Sequence, residues 1–127
     1  MMLRMLAACC LIAGTCAAAP AASPVTVSDC RGGIDSLELM EIAAYDVTFR
    51  NLTAVPADLV RITIPYGRRK KSVTFDIRGT FAPNVDVTRA LRKTIGIGVY
   101  AYEKKQNPCR VERVHFADGS TWSAPDT

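Results

Sequence analysis

Apolar and polar residues alternate with period two in several separate stretches of this chain, and that alternation confines it to half-buried β-strands. Tyr45, Val47 and Phe49 alternate with Asp46, Thr48 and Arg50. Val60, Ile62, Ile64 and Tyr66 alternate with Arg61, Thr63 and Pro65, and Val73, Phe75 and Ile77 with Thr74, Asp76 and Arg78. The last two stretches flank Gly67-Arg68-Arg69-Lys70-Lys71 and read as an antiparallel hairpin. Pro65 cannot donate to a ladder, which places its end of the strand at an edge or just beyond pairing. Strands at intervals of about ten residues, with turn signals between them, predict an all-β fold: a single antiparallel β-sandwich of about seven strands.

The final stretch, Cys109 to Trp122, fixes its own register. Asp118-Gly119 marks a hairpin turn. A two-residue loop would set Trp122 opposite His115 and take it off the face shared by Val114 and Phe116. A three-residue loop, Ala117-Asp118-Gly119, sets Trp122 opposite Val114 and gathers all three apolar side chains on one side. Burial of one face selects the second register, with Gly119 left-handed in a G1 bulge. Elsewhere the reading is looser. Cys30-Arg31-Gly32-Gly33 reads as a turn, and Leu37 to Met40 as strand or short helix. Thr88 stands where it would cap a helical turn containing Ala90 and Leu91. Ile95, Ile97, Val99 and Ala101 form one row of a strand, with Gly96, Gly98, Tyr100 and Tyr102 on the other.

The N-terminus bears on location. Met-Met-Leu-Arg precedes an apolar run from Met5 to Ala13 and then small residues, the pattern of a secretory signal over residues 1–18. The run is too short for a stable membrane-spanning helix. Cleavage after Ala18 is one of three candidate cuts, with those after Ala19 and Ala21. Ala13-Gly14-Thr15-Cys16 also resembles a bacterial lipoprotein box, which would place a lipid on Cys16 and anchor the chain in the envelope. Residues 19–29 then form a flexible tether or a loosely held first strand, and residues 30–127 the sandwich domain. Removal of the leader takes away Cys9, Cys10 and Cys16 and leaves Cys30 and Cys109, a pair that reads as one disulfide in an exported domain. Only Arg4 lies in the leader, so the net charge falls from +4 to +3. That mild charge permits contact with anionic surfaces without requiring it.

Tyr45 to Asn51, Val60 to Ile64, Gly79-Thr80-Phe81-Ala82-Pro83 and Cys109-x-Val111-x-x-Val114-x-Phe116-x-Asp118-Gly119-x-x-Trp122 together resemble small exported bacterial immunoglobulin-like domains of the FxLYD kind. The resemblance covers residues 40–123. It implies an immunoglobulin-like sandwich and an exported, periplasmic or secreted location, and it carries no catalytic residue.

Candidate contact residues are few. Arg68, Arg69, Lys70 and Lys71 would meet an anionic surface, or else form a solvated turn whose charges block edge pairing. Tyr66, Tyr100 and Tyr102 would make an aromatic contact strip, or else a partly buried core edge. The basic run lacks the aromatic platform of a nucleic-acid site. His115, the only histidine, has no cysteine pair or second histidine for zinc and reads as structural or solvated. Asp76, Asp86 and Asn84 match no calcium loop. No cofactor, metal or nucleic acid is expected, and no nucleophile elbow, phosphate loop or catalytic carboxylate pair is visible. The sequence therefore predicts an accessory binding domain for a protein or envelope component. The alternative is a structural or assembly module of the envelope, self-associating or lipid-anchored. Contact with a membrane is expected only if Cys16 is lipidated.

Overall fold

The computed structural model describes residues 22–67, 71–97 and 102–125. Among the described residues there are eight strands: β1 (Val25–Leu37), β2 (Met40–Asn51), β3 (Ala57–Tyr66), β4 (Lys71–Phe81), β5 (Asp86–Ile97), β6 (Tyr102–Gln106), β7 (Arg110–Phe116) and β8 (Thr121–Ser123). They form two antiparallel four-stranded sheets, one ordered β5-β2-β1-β6 and the other β4-β3-β7-β8. The chain is an all-β sandwich, with one strand more than the alternation suggests. The second sheet has the strand order of an immunoglobulin GFC sheet extended by C′. In the first sheet the fourth strand lies outside β1, whereas the immunoglobulin pattern puts it beyond the E strand.

The alternating stretches supply the inner faces. Tyr45, Val47 and Phe49 of β2 face Val60, Ile62 and Ile64 of β3, Val73, Phe75 and Ile77 of β4, and Val114 and Phe116 of β7. Ring edges meet across the layers, Tyr45 on Phe75 at 6.2 Å and Phe49 on Phe81 at 5.1 Å between centroids. Val25, Ile34, Ala43, Ala57, Phe81 and Val111 join this core. Trp122 packs against it only half-buried, because β8 is a three-residue edge strand with nothing beyond it in its sheet. Val99 lies outside the described residues.

The terminal hairpin adopts the three-residue loop. Val114 pairs with Trp122, the Phe116 amide donates to the Ser120 carbonyl at 2.9 Å, and Gly119 has φ +92°. Pro65 lies past the end of the β3–β7 ladder, which stops at Thr63.

Four local readings are corrected. Cys30–Gly33 is the middle of β1, not a turn. Gly32 is there for close approach: a Cβ at this position would lie 2.2 Å from the Ala44 carbonyl oxygen and 2.6 Å from Tyr45 Cα. Leu37–Met40 is a tight hairpin in which Leu37 pairs with Met40. Glu38 and Leu39 there take φ of 50° and 67°, values a two-residue hairpin needs and non-glycine residues resist by about 1–2 kcal/mol each. Thr88 caps no helix. The ladder with β2 runs past it, and its hydroxyl pairs with that of Thr48 at 2.8 Å, so tertiary pairing overrides local preference. The row from Ile95 to Tyr102 is not one strand. β5 stops at Ile97, and Tyr102 begins β6 on the opposite edge of the same sheet.

Two devices close the flanks. On the β4–β5 side, Arg89 and Lys93 occupy positions whose β2 partners, Val47 and Ala43, face the core. Arg89 lies over the Phe81 ring at 5.6 Å, and the Lys93 ammonium donates to the Thr74 carbonyl at 3.0 Å. Inward-pointing cations on an edge strand oppose pairing with another chain. On the opposite flank Cys30 of β1 is bonded to Cys109, the residue before β7, with their Cα atoms 6.2 Å apart. Beside this bond the Asn107 amide donates to the Cys30 carbonyl.

Tyr45 is the misfit in the core. Its hydroxyl is buried and has no hydrogen-bond partner among the described residues. Burial, reinforced by Tyr66, pushes its pKa above the ordinary tyrosine value. Tyr45→Phe removes that unmet polar group and keeps the ring, so stability should rise by about 1 kcal/mol. Urea unfolding measures it, and a loss of stability would mean that the hydroxyl is satisfied in solution.

Candidate functional site

The outer face of the second sheet is where polar positions converge. Because β3 lies between β4 and β7, its outward residues have partners on both sides. Leu59 is flanked by Arg78 and His115, and Arg61 by Asp76 and Arg113. These residues, with Asp58 and Gly79 and without Asp76, line an open cleft of about 610 Å³. Leu59 is its apolar floor. Among the described lining residues, three arginines against the carboxylate of Asp58 leave a net +2 when His115 is neutral.

The charges are not equivalent. Arg61 is held by Asp76 in a two-pronged pair, Nε to Oδ1 at 2.7 Å and Nη2 to Oδ2 at 3.1 Å. That hydrogen-bonded guanidinium holds the Asp76 carboxyl below the ordinary carboxylate range, and the charges of Arg78 and Lys93 add to the effect. His115 Nδ1 lies 2.6 Å from Asp58 Oδ1, so this carboxylate is occupied too. Arg78 and Arg113 have no ion pair among the described residues, and both side chains are exposed. The cleft therefore offers two guanidinium groups without an ion pair, Arg78 beside the apolar floor of Leu59 and Arg113 in the next row beside Arg61.

A depressed carboxyl pKa contributes stability at neutral pH that is lost as pH falls through the folded-state value. For Asp76 that loss belongs below the ordinary carboxylate range. Arg61→Ala removes the main cause. The Asp76 titration should then move up toward the ordinary range, as followed by carboxyl-carbon NMR. An unmoved titration would show that the pair does not persist in solution.

The His115–Asp58 contact is two-thirds of a hydrolytic triad in outline, but no serine, threonine or cysteine is among the residues lining the cleft. Among the described residues no three of His, Cys, Asp and Glu come together to hold a metal ion. A second cavity of about 440 Å³ opens beside the disulfide, lined by Val27, Cys109, Val111 and Trp122 among others. Arg110, the cation among its described lining residues, donates to the Pro125 carbonyl at 2.6 Å.

Of the residues singled out in the sequence, His115 lines the cleft and Asp76 flanks it, while the basic run and the tyrosines lie elsewhere. Lys71 opens β4 and is exposed, opposite a half-buried Tyr66 at the end of β3. Tyr102 opens β6, opposite Ile34, so Tyr66 and Tyr102 belong to different sheets. Arg68, Arg69, Lys70 and Tyr100 fall outside the described residues, as does the leader with Cys16. Tyr45 touches Phe75 and Phe49 touches Phe81, so β2 and β4 run alongside in the same sense. Lys71 therefore shares an end of the sandwich with the β1–β2 turn, where Leu37, Leu39, Met40 and Ile97 are exposed. Asn51-Leu52-Thr53 spells an N-glycosylation sequon, but Asn51 is not an accessible acceptor in the folded domain. The side chain is buried, donating to the Val55 and Phe81 carbonyls and accepting from the Thr53 amide and hydroxyl.

Among the described residues no helix is long and apolar enough to cross a membrane. Compared with family models, with curated proteins and with solved structures, the chain finds no match. The fold and the cleft define it as an all-β sandwich with an inter-sheet-flank disulfide and an arginine-rich outer face.

Proposed function

We propose that this chain is an exported accessory binding domain, an FxLYD-like immunoglobulin-like sandwich that contacts a protein or cell-envelope component and performs no catalysis itself. The observation that supports this most is the cleft on the second sheet, where Arg78 beside Leu59 and Arg113 beside Arg61 have no ion pair among the described residues. Exposed arginine beside apolar surface is the composition of a recognition site. Export rests on the leader pattern of residues 1–18 together with the Cys30–Cys109 bond, since such bonds persist in oxidising compartments. Self-association through β5 is the weaker reading, because Arg89, Arg92 and Lys93 would bring like charges together on that edge.

Immobilised protein exposed to envelope extract tests the reading. The wild type should retain a component that Arg78→Glu with Arg113→Glu loses. The same components on both matrices would overturn the assignment of the face.

A further inference from the structure

We infer that the cleft between Arg78 and Arg113 is a phosphate-binding site, taking a phosphomonoester group carried by a larger ligand. The inference rests on the binding reading above and names the chemistry the site selects. The first ground is placement. Arg78 on β4 and Arg113 on β7 are separated by one strand, β3, and by two residues along it, Arg78 opposite Leu59 and Arg113 opposite Arg61, so their backbones lie about 12 Å apart. Each guanidinium sits on a long stem, and both side chains line the same cleft over Leu59. They are within reach of one tetrahedral anion above that floor.

The second ground is charge. The nearby carboxylates are already committed, Asp76 to Arg61 through two hydrogen bonds, Asp58 to His115, and Glu112, which also acts on Arg61, to Arg110 at 3.6 Å. A bound carboxylate would neutralise one of the two remaining guanidinium groups and leave the other unmatched. A phosphomonoester carries about −1.5 to −2 at neutral pH and offers three acceptor oxygens, which answers both. The third ground is donor geometry. Guanidinium forks match phosphate oxygens two at a time, and each such charge-assisted pair is stronger than a neutral hydrogen bond. Arg61 is oriented by Asp76 and forms one wall of the cleft, so the free arginines work beside a fixed cation.

Amide NMR of the purified protein, titrated with inorganic phosphate against chloride and acetate at equal ionic strength, tests this. Phosphate should give saturable shifts around Leu59, Arg78 and Arg113. Arg78→Ala and Arg113→Ala should each weaken binding by about tenfold or more, the loss of one charge-assisted contact. Arg92→Ala, on the exposed face of β5, should leave binding unchanged and show that loss of a surface arginine alone is without effect. Shifts that fail to saturate, that acetate or chloride reproduces, or that survive both cleft variants overturn the phosphate assignment. Tighter binding of polyglutamate than of phosphate overturns it in favour of an acidic protein. Vesicles of phosphatidylcholine with and without phosphatidic acid separate the sources. Co-sedimentation only with phosphatidic acid marks a lipid headgroup, and phosphate binding without co-sedimentation marks a soluble phosphate ester; both support the site. If phosphate fails while envelope capture still depends on Arg78 and Arg113, the binding face stands and only its ligand class is wrong.

Discussion

Replacing Cys30 or Cys109 by serine should lower the unfolding free energy by about 2–5 kcal/mol, and replacing both should cost no more than replacing either. The bond closes a loop with a sequence separation of 79 residues, so its loss releases a large part of the unfolded chain. In the chain-entropy view a loop of that size is worth roughly 4 kcal/mol. The native geometry is suited to the link, since a Cα separation of 6.2 Å lies within the ordinary range for disulfides. Its position adds a local consequence. Cys109 and Trp122 line the same cavity with Val27 of β1, so each serine variant should also shift Trp122 emission to the red as β1 and β8 loosen together. Urea unfolding of the two single variants and the double variant measures the cycle. Losses that add in the double variant would mean that the two cysteines do not act through one bond.

Gly32→Ala should destabilise the fold by about 3 kcal/mol or more, the upper range for overpacking, because the obstruction is backbone. The new methyl would sit 2.2 Å from the Ala44 carbonyl oxygen and 2.6 Å from Tyr45 Cα, and Tyr45 is paired with Gly32 across the ladder. Relief requires prising β1 from β2 at the centre of the first sheet. Gly96→Ala is the matched control. The nearest atom to its added methyl is Glu41 Oε1 at 3.7 Å, an ordinary contact, so that variant should be neutral or gain up to about 1 kcal/mol. Equal unfolding midpoints for the two alanine variants would contradict the close approach at Gly32.

These two sites also mark where the sequence is legible. The β2, β3 and β4 strands can be read because their core-facing residues alternate, and the β7–β8 register, despite a bulge between Val111 and Val114, follows from putting Val114, Phe116 and Trp122 on one side. β1 hides because Gly32-Gly33 looks like a turn, although here glycine serves strand proximity. β5 hides because Arg89 and Lys93 point inward at an edge and break the pattern a buried face should have. β6 is short, polar and at an edge, so nothing in its composition announces a strand. The cleft is invisible for a different reason. Arg61, Arg78 and Arg113 are merely outward polar residues of their strands, and His115 stands out only as a lone histidine. It is the pairing of β3 with β7, non-local in sequence, that brings them together. Once that pairing is known, the outward row Arg78, Leu59, His115 and its neighbour Asp76, Arg61, Arg113 can be written down directly.

The claim that the second sheet carries the recognition face is tested most directly by photo-crosslinking in the native envelope. A photoreactive residue placed at Thr63 samples the outer face of the second sheet near the cleft. One at Ala90, opposite Asp46 on the outer face of the first sheet, samples the other side. The account predicts a discrete adduct from position 63 that disappears in the Arg78→Glu, Arg113→Glu background, with none from position 90. An adduct from position 90 alone, or one from position 63 that survives the charge reversal, would contradict it.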